Sequence, residues 1–531
     1  MKHFRSLALS IAFTAIISSC GVPSEILSTP IENIDNTPLK EQELTEKEKQ
    51  TWGHLDLVKD TVPGMSVDKA YAELLKGKQG QQVVVAVIDS GIDIDHEDLD
   101  SVIWRNSDEI AGNGIDDDKN GYIDDIHGWN FLGDAYDEQL EMTRIVAKKM
   151  TTHPAYAQAQ VDLQQKKTEA MQIKQNVDAL LQQVPPAQEM IRNHLKKNVY
   201  TKEEVMAINE PGNQALLQSK NIQIWLYDRE LTLADIEEYA ENLTEQLNFN
   251  LNTEFEGRSI VGDNVDDIKD RNYGNANVKP VKKAESHGTH VAGIIAAERN
   301  NGKGVNGVAK NVRIMPIRAV PNGDEYDKDV ALAIRYAVDN GAKIINGSFG
   351  KSYATHSDWV YEAIKYAESK DVLFVHAAGN DGQDMDVTIN YPNDNVNGVE
   401  ISANYISVGS LEPLYGSKLV SNFSNYGKNN VDVFAPGGKI YSTMPGNEYK
   451  QQGGTSMAAP AVAGIAALIR SYYPKLKASQ VKQIIMDSGL PLKAKVIVGG
   501  DPDNVKPFAD LSRSGKSANA YNALVMASQI K

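Results

Sequence analysis

The sequence predicts an α/β protein in which helices flank a parallel β-sheet and an inserted, mainly helical subdomain interrupts the fold. Two observations predict the sheet: short, unbroken apolar runs rich in β-branched residues recur along the chain, and stretches with the apolar periodicity of helices separate them. A third observation predicts the insertion, because residues 134–283 replace this alternation with a polar stretch rich in Gln, Lys and Glu.

The apolar runs have the length of strands, and their lack of alternation indicates strands that are covered on both faces. The helical pattern of residues 330–337 ends shortly before Gly341, a residue type common just after a helix. Strand–helix–strand alternation favours a parallel sheet with right-handed crossovers. The predicted strands are residues 83–88, 313–320, 343–345, 372–375, 405–408 and 431–434.

Within the insertion, apolar residues at helical spacing lead up to Val184, and the pair Pro185 and Pro186 is expected to end that helix. Thr232 and Asp235 predict a capped start for a further helix. The apolar stripes of these helices favour internal packing, with a binding groove as the alternative.

Residues 1–20 have the composition of an export signal: a positive start at Lys2 and Arg5, an apolar run too short to span a bilayer, and small residues before Cys20. Residues 17–21 (Ile-Ser-Ser-Cys-Gly) resemble a bacterial lipobox, which implies that Cys20 is lipidated and anchors the protein to a membrane. We therefore expect a location in the bacterial cell envelope, at the outer membrane or the cell surface. The alternative is an ordinary signal peptide with an incidental cysteine.

The rest of the chain divides by composition. Residues 21–50 are polar and are expected to form a tether, followed by a first domain part at 51–133, the insertion, and a second part at 284–531.

The formal net charge of −17 argues against a nucleic-acid-binding protein, because it implies no broad basic surface. Cys20 is the single cysteine, so the chain forms no intrachain disulfide.

Three short motifs carry reactive residues. Asp89 follows the apolar run 83–88, and in a parallel sheet the carboxyl ends of the strands line the active crevice. His287 begins the sequence His-Gly-Thr-His, and Ser456 lies after two glycines at the start of an apolar helix pattern. Each motif alone has an ordinary explanation: a turn or helix cap for the Asp, a structural histidine, and an N-cap serine.

Together the three residues form a chemical set. A serine hydroxyl becomes a nucleophile when a histidine takes its proton, and a carboxylate orients that histidine. The motifs resemble residue by residue those of the subtilisin-like serine peptidases, in the chain order Asp, His, Ser. The resemblance covers about residues 52–132 and 286–526 and implies the three-layer α/β fold of that family, with a triad of Asp89, His287 and Ser456.

Two more stretches match the family. Asn380, in Ala-Ala-Gly-Asn-Asp, resembles the side-chain donor of the oxyanion hole, where it would act with the Ser456 backbone N–H. Ser348, Phe349 and Gly350 resemble the segment that pairs with an extended substrate backbone. The resemblance implies protein or peptide substrates. The alternative for both stretches is a common turn in which Asn is flanked by Gly.

Calcium sites are expected at two places. Asp116, Asp118, Asn120 and Asp124 have the spacing of a calcium loop, although His127 stands where a complete EF-hand has Glu. The alternative for this loop is a solvated acidic turn.

The second place is given by the family resemblance alone. Asp98 and Asn301 resemble side-chain ligands of a calcium site in the subtilisin-like peptidases.

The sequence thus predicts a serine endopeptidase that works through an acyl-enzyme intermediate. The alternative is a catalytically inactive, membrane-tethered binding protein with the same fold. The insertion makes the distance from Asp89 to His287 198 positions, and its role is not evident from its composition.

Overall fold

The computed structural model describes residue 40 and residues 43–530. The predicted signal segment, Cys20 and most of the predicted tether lie outside the described residues. Within the described part of the chain, none of the helices combines the length and apolar character that a membrane span requires.

The α-helices of the described residues are α1 Glu46–Thr51, α2 Leu57–Asp60, α3 Val67–Glu73, α4 Glu141–Ala147, α5 Tyr156–Leu195, α6 Lys202–Met206, α7 Gln214–Asp228, α8 Leu233–Glu245, α9 His287–Ala296, α10 Asp327–Asp339, α11 Ser357–Ser369, α12 Thr455–Tyr472, α13 Ala478–Ser488 and α14 Ala520–Gln529.

The strands form one large sheet and three small antiparallel pairs. The large sheet has nine strands in the order β12-β15-β9-β8-β5-β4-β1-β3-β2, and only its β12–β15 pair is antiparallel. The strands are β1 Val83–Asp89, β2 Trp129–Asn130, β3 Val312–Arg318, β4 Ile344–Gly347, β5 Leu373–Ala377, β6 Asn395–Val396, β7 Val399–Glu400, β8 Tyr405–Leu411, β9 Val433–Pro436, β10 Ile440–Met444, β11 Glu448–Gln452, β12 Leu490–Pro491, β13 Lys495–Ile497, β14 Val505–Pro507 and β15 Lys516–Ser517.

The predicted parallel sheet with helices on both faces is confirmed, and strand β1 shows how the two faces are filled. Val85 and Val87 pack into one core cluster with α9, α12, α13 and α14, whereas Ala86 and Ile88 pack into a second cluster with α10 and α11. Since successive strand residues point to opposite faces, a strand between two helical layers needs apolar residues at every position. This arrangement places the end of β1 inside the sheet, between β4 and β3.

Helix α5 contradicts one sequence expectation. It runs without interruption through Pro185 and Pro186 to Leu195. A proline inside a helix removes a backbone donor and costs about 3 kcal/mol. Packing on both sides of the prolines offsets this cost, because the fully buried Val184 and Ile191 contact the other helices of the insertion.

The start of α8 agrees with the sequence. Thr232 and Asp235 form the reciprocal capping hydrogen bonds that their spacing predicted. Ile236, Ala240 and Leu243 of α8 are buried at helical spacing, and α8 packs against α5. The insertion therefore has its own small apolar core beside the sheet domain.

Candidate active site

Asp89 stands at the carboxyl end of β1, and its side chain is almost fully buried. Its Oδ1 accepts a hydrogen bond from the Ser90 N–H at 2.7 Å and another from His287 Nδ1 at 2.7 Å. Its Oδ2 is buried and has no hydrogen-bond partner among the described residues. The Asp89 carboxylate therefore orients the His287 ring.

His287 is the first residue of α9, and its side chain is 38% exposed. Because the Asp89 carboxylate only accepts hydrogen bonds, Nδ1 carries a proton and Nε2 is left as the basic nitrogen. Burial lowers the pKa of His287, but the negative charge of Asp89 and the hydrogen bond to it outweigh this effect. The net pKa lies above the ordinary value of 6.5, as suits a general base that becomes an imidazolium.

Ser456 lies in the first turn of α12, whose N–H groups have no partners within the helix. Its Oγ donates to the Ser348 carbonyl at 3.2 Å, and the described residues contain no hydrogen bond between Ser456 and His287. The two side chains line adjoining cavities of about 380 and 290 Å³ that share Phe349 and Gly350. Thus the structure joins Asp89 to His287 directly and places Ser456 in the neighbouring cavity.

Asn380 is held so that its amide N–H groups remain available. Its Oδ1 accepts from both the N–H and the Oγ1 of Thr455, each at 2.9 Å. A Cβ on Gly454 would lie 3.5 Å from the Ser456 nitrogen and 3.6 Å from Asn380 Nδ2. The two predicted oxyanion donors therefore border the same small space beside Gly454.

Gly379 fixes the position of Asn380. Its φ of +105° is a conformation that residues with a Cβ rarely adopt, and a Cβ there would lie 2.4 Å from Asn425 Nδ2. Asn425 in turn holds the loop, since its Oδ1 accepts from the N–H groups of Asp381 and Gln383. The sequence motif predicted Asn380 but gave no sign of Asn425.

The predicted substrate segment follows β4 directly. Ser348 Oγ accepts from Asn346 Nδ2 and donates to the Ser456 carbonyl, both at 2.9 Å. The Phe349 carbonyl accepts from His376 Nε2 at 2.8 Å, and burial lowers the pKa of His376 to about 4, so this histidine is neutral. The segment is thus tied both to the Ser456 helix and to β5, and it borders both cavities.

Five residues of the insertion line these cavities and were missed by the sequence reasoning. Met142, Asp162 and Lys166 are at ordinary positions of helices, and Tyr136 and Leu140 precede α4, so no signal in the sequence marks the five residues. Tyr136 lines the cavity of His287; Leu140, Met142, Asp162 and Lys166 line the cavity of Ser456.

The acidic loop between β1 and β2 brings together a different set of carboxylates from the predicted one. Glu109, Asp118 and Asp125 each offer a carboxylate oxygen, and these oxygens lie within 4.8 Å of one another. Asp116 accepts instead from the N–H groups of Asn120 and Gly121. Of the predicted ligands, Asp118 is a member of this carboxylate group.

The remaining two predicted ligands of the loop differ in position. Asn120 donates through Nδ2 to Asp118 at 3.1 Å and to Asp125 at 3.0 Å, so it borders the group. Asp124 accepts from the N–H groups of Asn113 and Gly114 and thereby closes the loop. Asp125 is adjacent to Asp124 in sequence, and Glu109 lies seven residues before Asp116, so both belong to the acidic stretch around the loop.

The carboxylate group has the donor chemistry of a cation site. Glu109 and Asp125 are buried, and Glu109 Oε2 has no hydrogen-bond partner among the described residues. Burial raises the pKa of Asp125 to about 6, although hydrogen bonds from Tyr336, Asn106 and Asn120 act in the opposite direction. The ligand atoms that the three carboxylates offer are all oxygens, and oxygen-only donor sets suit hard cations such as Ca²⁺.

The second predicted metal site brings its two residues together. Asp98 is buried, and its Oδ1 accepts from Asn301 Nδ2 at 2.5 Å. Its Oδ2 accepts from the Val305 N–H at 3.0 Å. Both carboxylate oxygens of Asp98 therefore have partners within the protein.

Comparison with known proteins agrees with the geometry. The sequence model described as the subtilase family matches residues 80–515. The thermophilic serine proteinase of Bacillus sp. (strain AK1) is 44% identical over 188 residues, which cover 35% of this chain and 43% of that protein. Subtilisin DY of Bacillus licheniformis is 37% identical over 225 residues, covering 42% of this chain and 77% of that protein. Thermitase of Thermoactinomyces vulgaris is 40% identical over 191 residues, covering 36% and 63%.

Proposed function

Because the chain belongs to the subtilase family, we propose that it is a serine endopeptidase that cleaves peptide bonds in proteins or peptides through an acyl-enzyme intermediate. The alignment spans less than half of the AK1 proteinase, so the proposal rests on the site itself. The observation that carries it is the 2.7 Å hydrogen bond between Asp89 and His287, beside the cavity that Ser456 and Asn380 line.

The proposed reaction uses each residue in one role. Ser456 Oγ attacks the scissile carbonyl carbon while His287 Nε2 takes its proton, and Asp89 stabilises the resulting imidazolium. Asn380 Nδ2 and the Ser456 N–H stabilise the oxyanion. Collapse breaks the C–N bond, and the imidazolium gives its proton to the leaving amine. Water activated by His287 then hydrolyses the ester and regenerates the free serine.

Ser456 must turn toward His287 for this reaction. Its Oγ now donates to Ser348, and rotation about the side-chain bond would move it to the histidine when a substrate binds. Catalytic hydrogen bonds often form fully only in the substrate complex. The same observation favours the second candidate, an inactive binding protein in which Ser456 stays bonded to Ser348.

A fluorophosphonate probe separates the two candidates. The probe should label the protein, Ser456→Ala should abolish labelling, and the exposed control variant Ser369→Ala should label normally. Equal labelling of Ser456→Ala and the control would refute the assignment of the nucleophile. A folded protein that the probe never labels would favour the binding protein.

We further propose that Ca²⁺ stabilises the acidic loop through Glu109, Asp118 and Asp125. The unpartnered, buried Glu109 Oε2 supports this site, because a buried carboxylate oxygen without a donor is costly unless a cation neutralises it. A bound cation would supply positive charge and fix the loop, and the peptide chemistry does not involve it. Asp98 and Asn301 remain a second proposed site because the two side chains are adjacent; a cation there would have to replace the hydrogen bond from Asn301 Nδ2, since a side-chain amide binds Ca²⁺ through its oxygen.

Terbium luminescence and calorimetric titration with Ca²⁺ test the loop site without measuring activity. Asp125→Asn should weaken binding at least tenfold, whereas Asp116→Asn, which alters a carboxylate bonded to loop N–H groups, should change it less than threefold. The reverse order of effects would favour the ligands predicted from the sequence spacing. Unchanged Ca²⁺ binding in both variants would exclude the loop.

For the location, we propose export and lipid anchoring at Cys20. The support is the lipobox-like order of residues 17–21 and the position of the single cysteine. Detergent phase partition of the wild type and Cys20→Ser tests the anchor. The wild type should enter the detergent phase and the variant the aqueous phase, and an aqueous wild type would refute the anchor.

A further inference from the structure

The helical insertion, residues 134–283, borders the candidate active site on more than one side. Tyr136 lines the cavity of His287, and Met142 and Lys166 are among the insertion residues that line the cavity of Ser456. A substrate that reaches either cavity must therefore lie against the insertion.

One end of the insertion is fixed to the peptidase domain by a buried ion network. Lys351, which follows the substrate segment, places its ammonium 3.0 Å from Glu141 of α4 and 2.9 Å from Asp327 of α10. Arg144 donates to Glu141 and to the carbonyls of Asp324 and Glu325. All the ionic side chains of this network are less than 5% exposed. Such a junction resists separation, because parting it would leave buried charges without partners.

The return end of the insertion is fixed in the same way. Arg258 contacts Asp329 of α10 through two hydrogen bonds of 2.6 and 2.8 Å, and it also binds Asp263. Lys328 of α10 lies 2.7 Å from Asp263. Both ends of the insertion are thus held to α10 by buried ion pairs, beside the cavities.

Helix α8 runs from the border of the His287 cavity to the hairpin of β10 and β11. At its end, Glu245 accepts from Asn322, which lines that cavity, at 2.9 Å. About 10 Å along the helix, the Glu238 carboxylate lies 3.4 Å from the ammonium of Lys450 on β11. The Lys450 carbonyl accepts from His290, one turn after His287 on α9. Helix α8 therefore contacts a residue that lines the His287 cavity and a hairpin that is hydrogen-bonded to the helix beginning with His287.

The contacts on this far side are much weaker than those at the base. The side chains of Glu238 and Lys450 are 62% and 54% exposed, and the pair of Glu230 with Lys439 is longer still at 3.9 Å. Exposed ion pairs contribute little and are screened by salt. This side of the insertion can move away while the base stays in place.

We propose that the insertion selects substrates by shape: it admits an extended polypeptide segment to the cleft and excludes the surfaces of folded proteins, and α8 acts as the bridge that enforces this. The inference rests on the proposed peptidase function. A single extended strand is about 5 Å wide between its hydrogen-bonding edges and about 10 Å across its side chains, so it needs far less space beside the insertion than a folded domain does. The substrate class is therefore unfolded or unstructured polypeptide.

Chemical cross-linking of the whole chain tests the bridge. In a Cys20→Ser background, which has no other cysteine, the variant Glu238→Cys with Lys450→Cys is treated with a short bis-maleimide that contains a reducible bond. Glu237→Cys with Lys450→Cys is the matched control, because its first position is the adjacent exposed residue of α8. The 238–450 pair should cross-link several times faster than the control pair.

Activity of the linked enzyme is then measured on a short chromogenic peptide, on a native globular protein with a flexible loop, and on the same protein unfolded. Linking should leave peptide kcat/KM within about twofold and slow cleavage of the native protein at least tenfold, and reduction of the linker should restore it. Measurable and equal cleavage of the native protein by linked and unlinked enzyme would overturn the proposal, as would loss of peptide hydrolysis on linking or slow cross-linking of the 238–450 pair. If the unlinked enzyme is inactive on every substrate and unlabelled by the fluorophosphonate, the peptidase function fails, while the cross-linking rates still test the bridge.

Discussion

Replacing Asn380 by Ala should lower kcat about 10²–10³-fold and leave KM nearly unchanged. The amide of Asn380 is one of two donors beside Gly454, the other being the Ser456 N–H, so the variant keeps half of the oxyanion site. A loss of 10²–10³ corresponds to about 2.7–4 kcal/mol of transition-state stabilisation. KM should hardly change, because the hydrogen bond strengthens only when the carbonyl oxygen becomes an oxyanion.

Two companion variants separate this donor role from the structural role of Asn380. Its Oδ1 also accepts two hydrogen bonds from Thr455, which Ala would remove. Asn380→Asp keeps an acceptor for Thr455 but places a negative charge at the oxyanion, so its kcat should be at least as low as that of Ala. Thr455→Val removes one of the two bonds and keeps the amide donor, so its kcat should fall much less.

Steady-state kinetics on a peptide substrate, with active-site titration to correct for misfolded enzyme, gives kcat and KM for all three variants. A kcat for Asn380→Ala within threefold of the wild type would refute the oxyanion role. So would a raised KM at constant kcat, which would indicate a residue that only binds substrate.

Three further predictions address other parts of the structure. The kcat/KM of the peptidase should fall as the pH drops through a value above 6.5, because the raised pKa of His287 keeps this residue protonated, and inactive as a base, to a higher pH than a free histidine. A pH–rate profile measures the fall, and an acidic limb centred well below pH 6.5 would contradict the prediction. Lys351→Met should lower the free energy of unfolding by about 3–5 kcal/mol, since it leaves the buried Glu141 and Asp327 carboxylates without the cation that they share. Urea denaturation measures the free energy of unfolding, and a loss below about 1 kcal/mol would show that the network contributes little. Gly379→Ala should destabilise the fold by about 1–3 kcal/mol and lower kcat, because the new Cβ would lie 2.4 Å from Asn425. The control variant Gly341→Ala, at a position with φ +86° but open space around it, should leave kcat unchanged. Equal kcat values for the two variants would argue against the role of Gly379 in placing Asn380.

The sheet could be predicted from the sequence because its strands leave a local pattern. Each long strand is covered on both faces, so the residues of β1 are apolar at consecutive positions, and the reactive Asp89 follows at the strand end. The short strands β2 and β15 have two residues each and produce no such pattern. Their pairing depends on contacts with distant strands, which local periodicity does not report.

Helix α5 could not be predicted in full, because its continuity depends on partners far along the chain. Local preference ends a helix at Pro185, yet Val184 packs with Leu226 and Ile236 from other helices. The tertiary contacts reverse the local preference. The capping box at Thr232 was predictable for the opposite reason, since all its hydrogen bonds lie within three residues.

The candidate active site was also only partly predictable from the sequence. The motifs contain Asp89, His287, Ser456 and Asn380, but the hydrogen bond of Ser456 to the Ser348 carbonyl depends on the relative position of α12 and β4. In the acidic loop the spacing pointed to Asp116 and Asp124, whereas the folded loop uses those carboxylates to bind its own N–H groups. Which carboxylates face one another is decided by loop conformation, and residue spacing alone does not contain it.

The proposed function requires that Ser456 forms a covalent acyl-enzyme with the help of His287. Mass spectrometry of the protein quenched in acid after mixing with a slowly deacylated p-nitrophenyl ester tests it most directly. We expect one acyl group per chain, located on the peptide that contains Ser456, and no acyl group in Ser456→Ala or His287→Ala. No acyl group on the wild type, or an acyl group on any other residue, would contradict it.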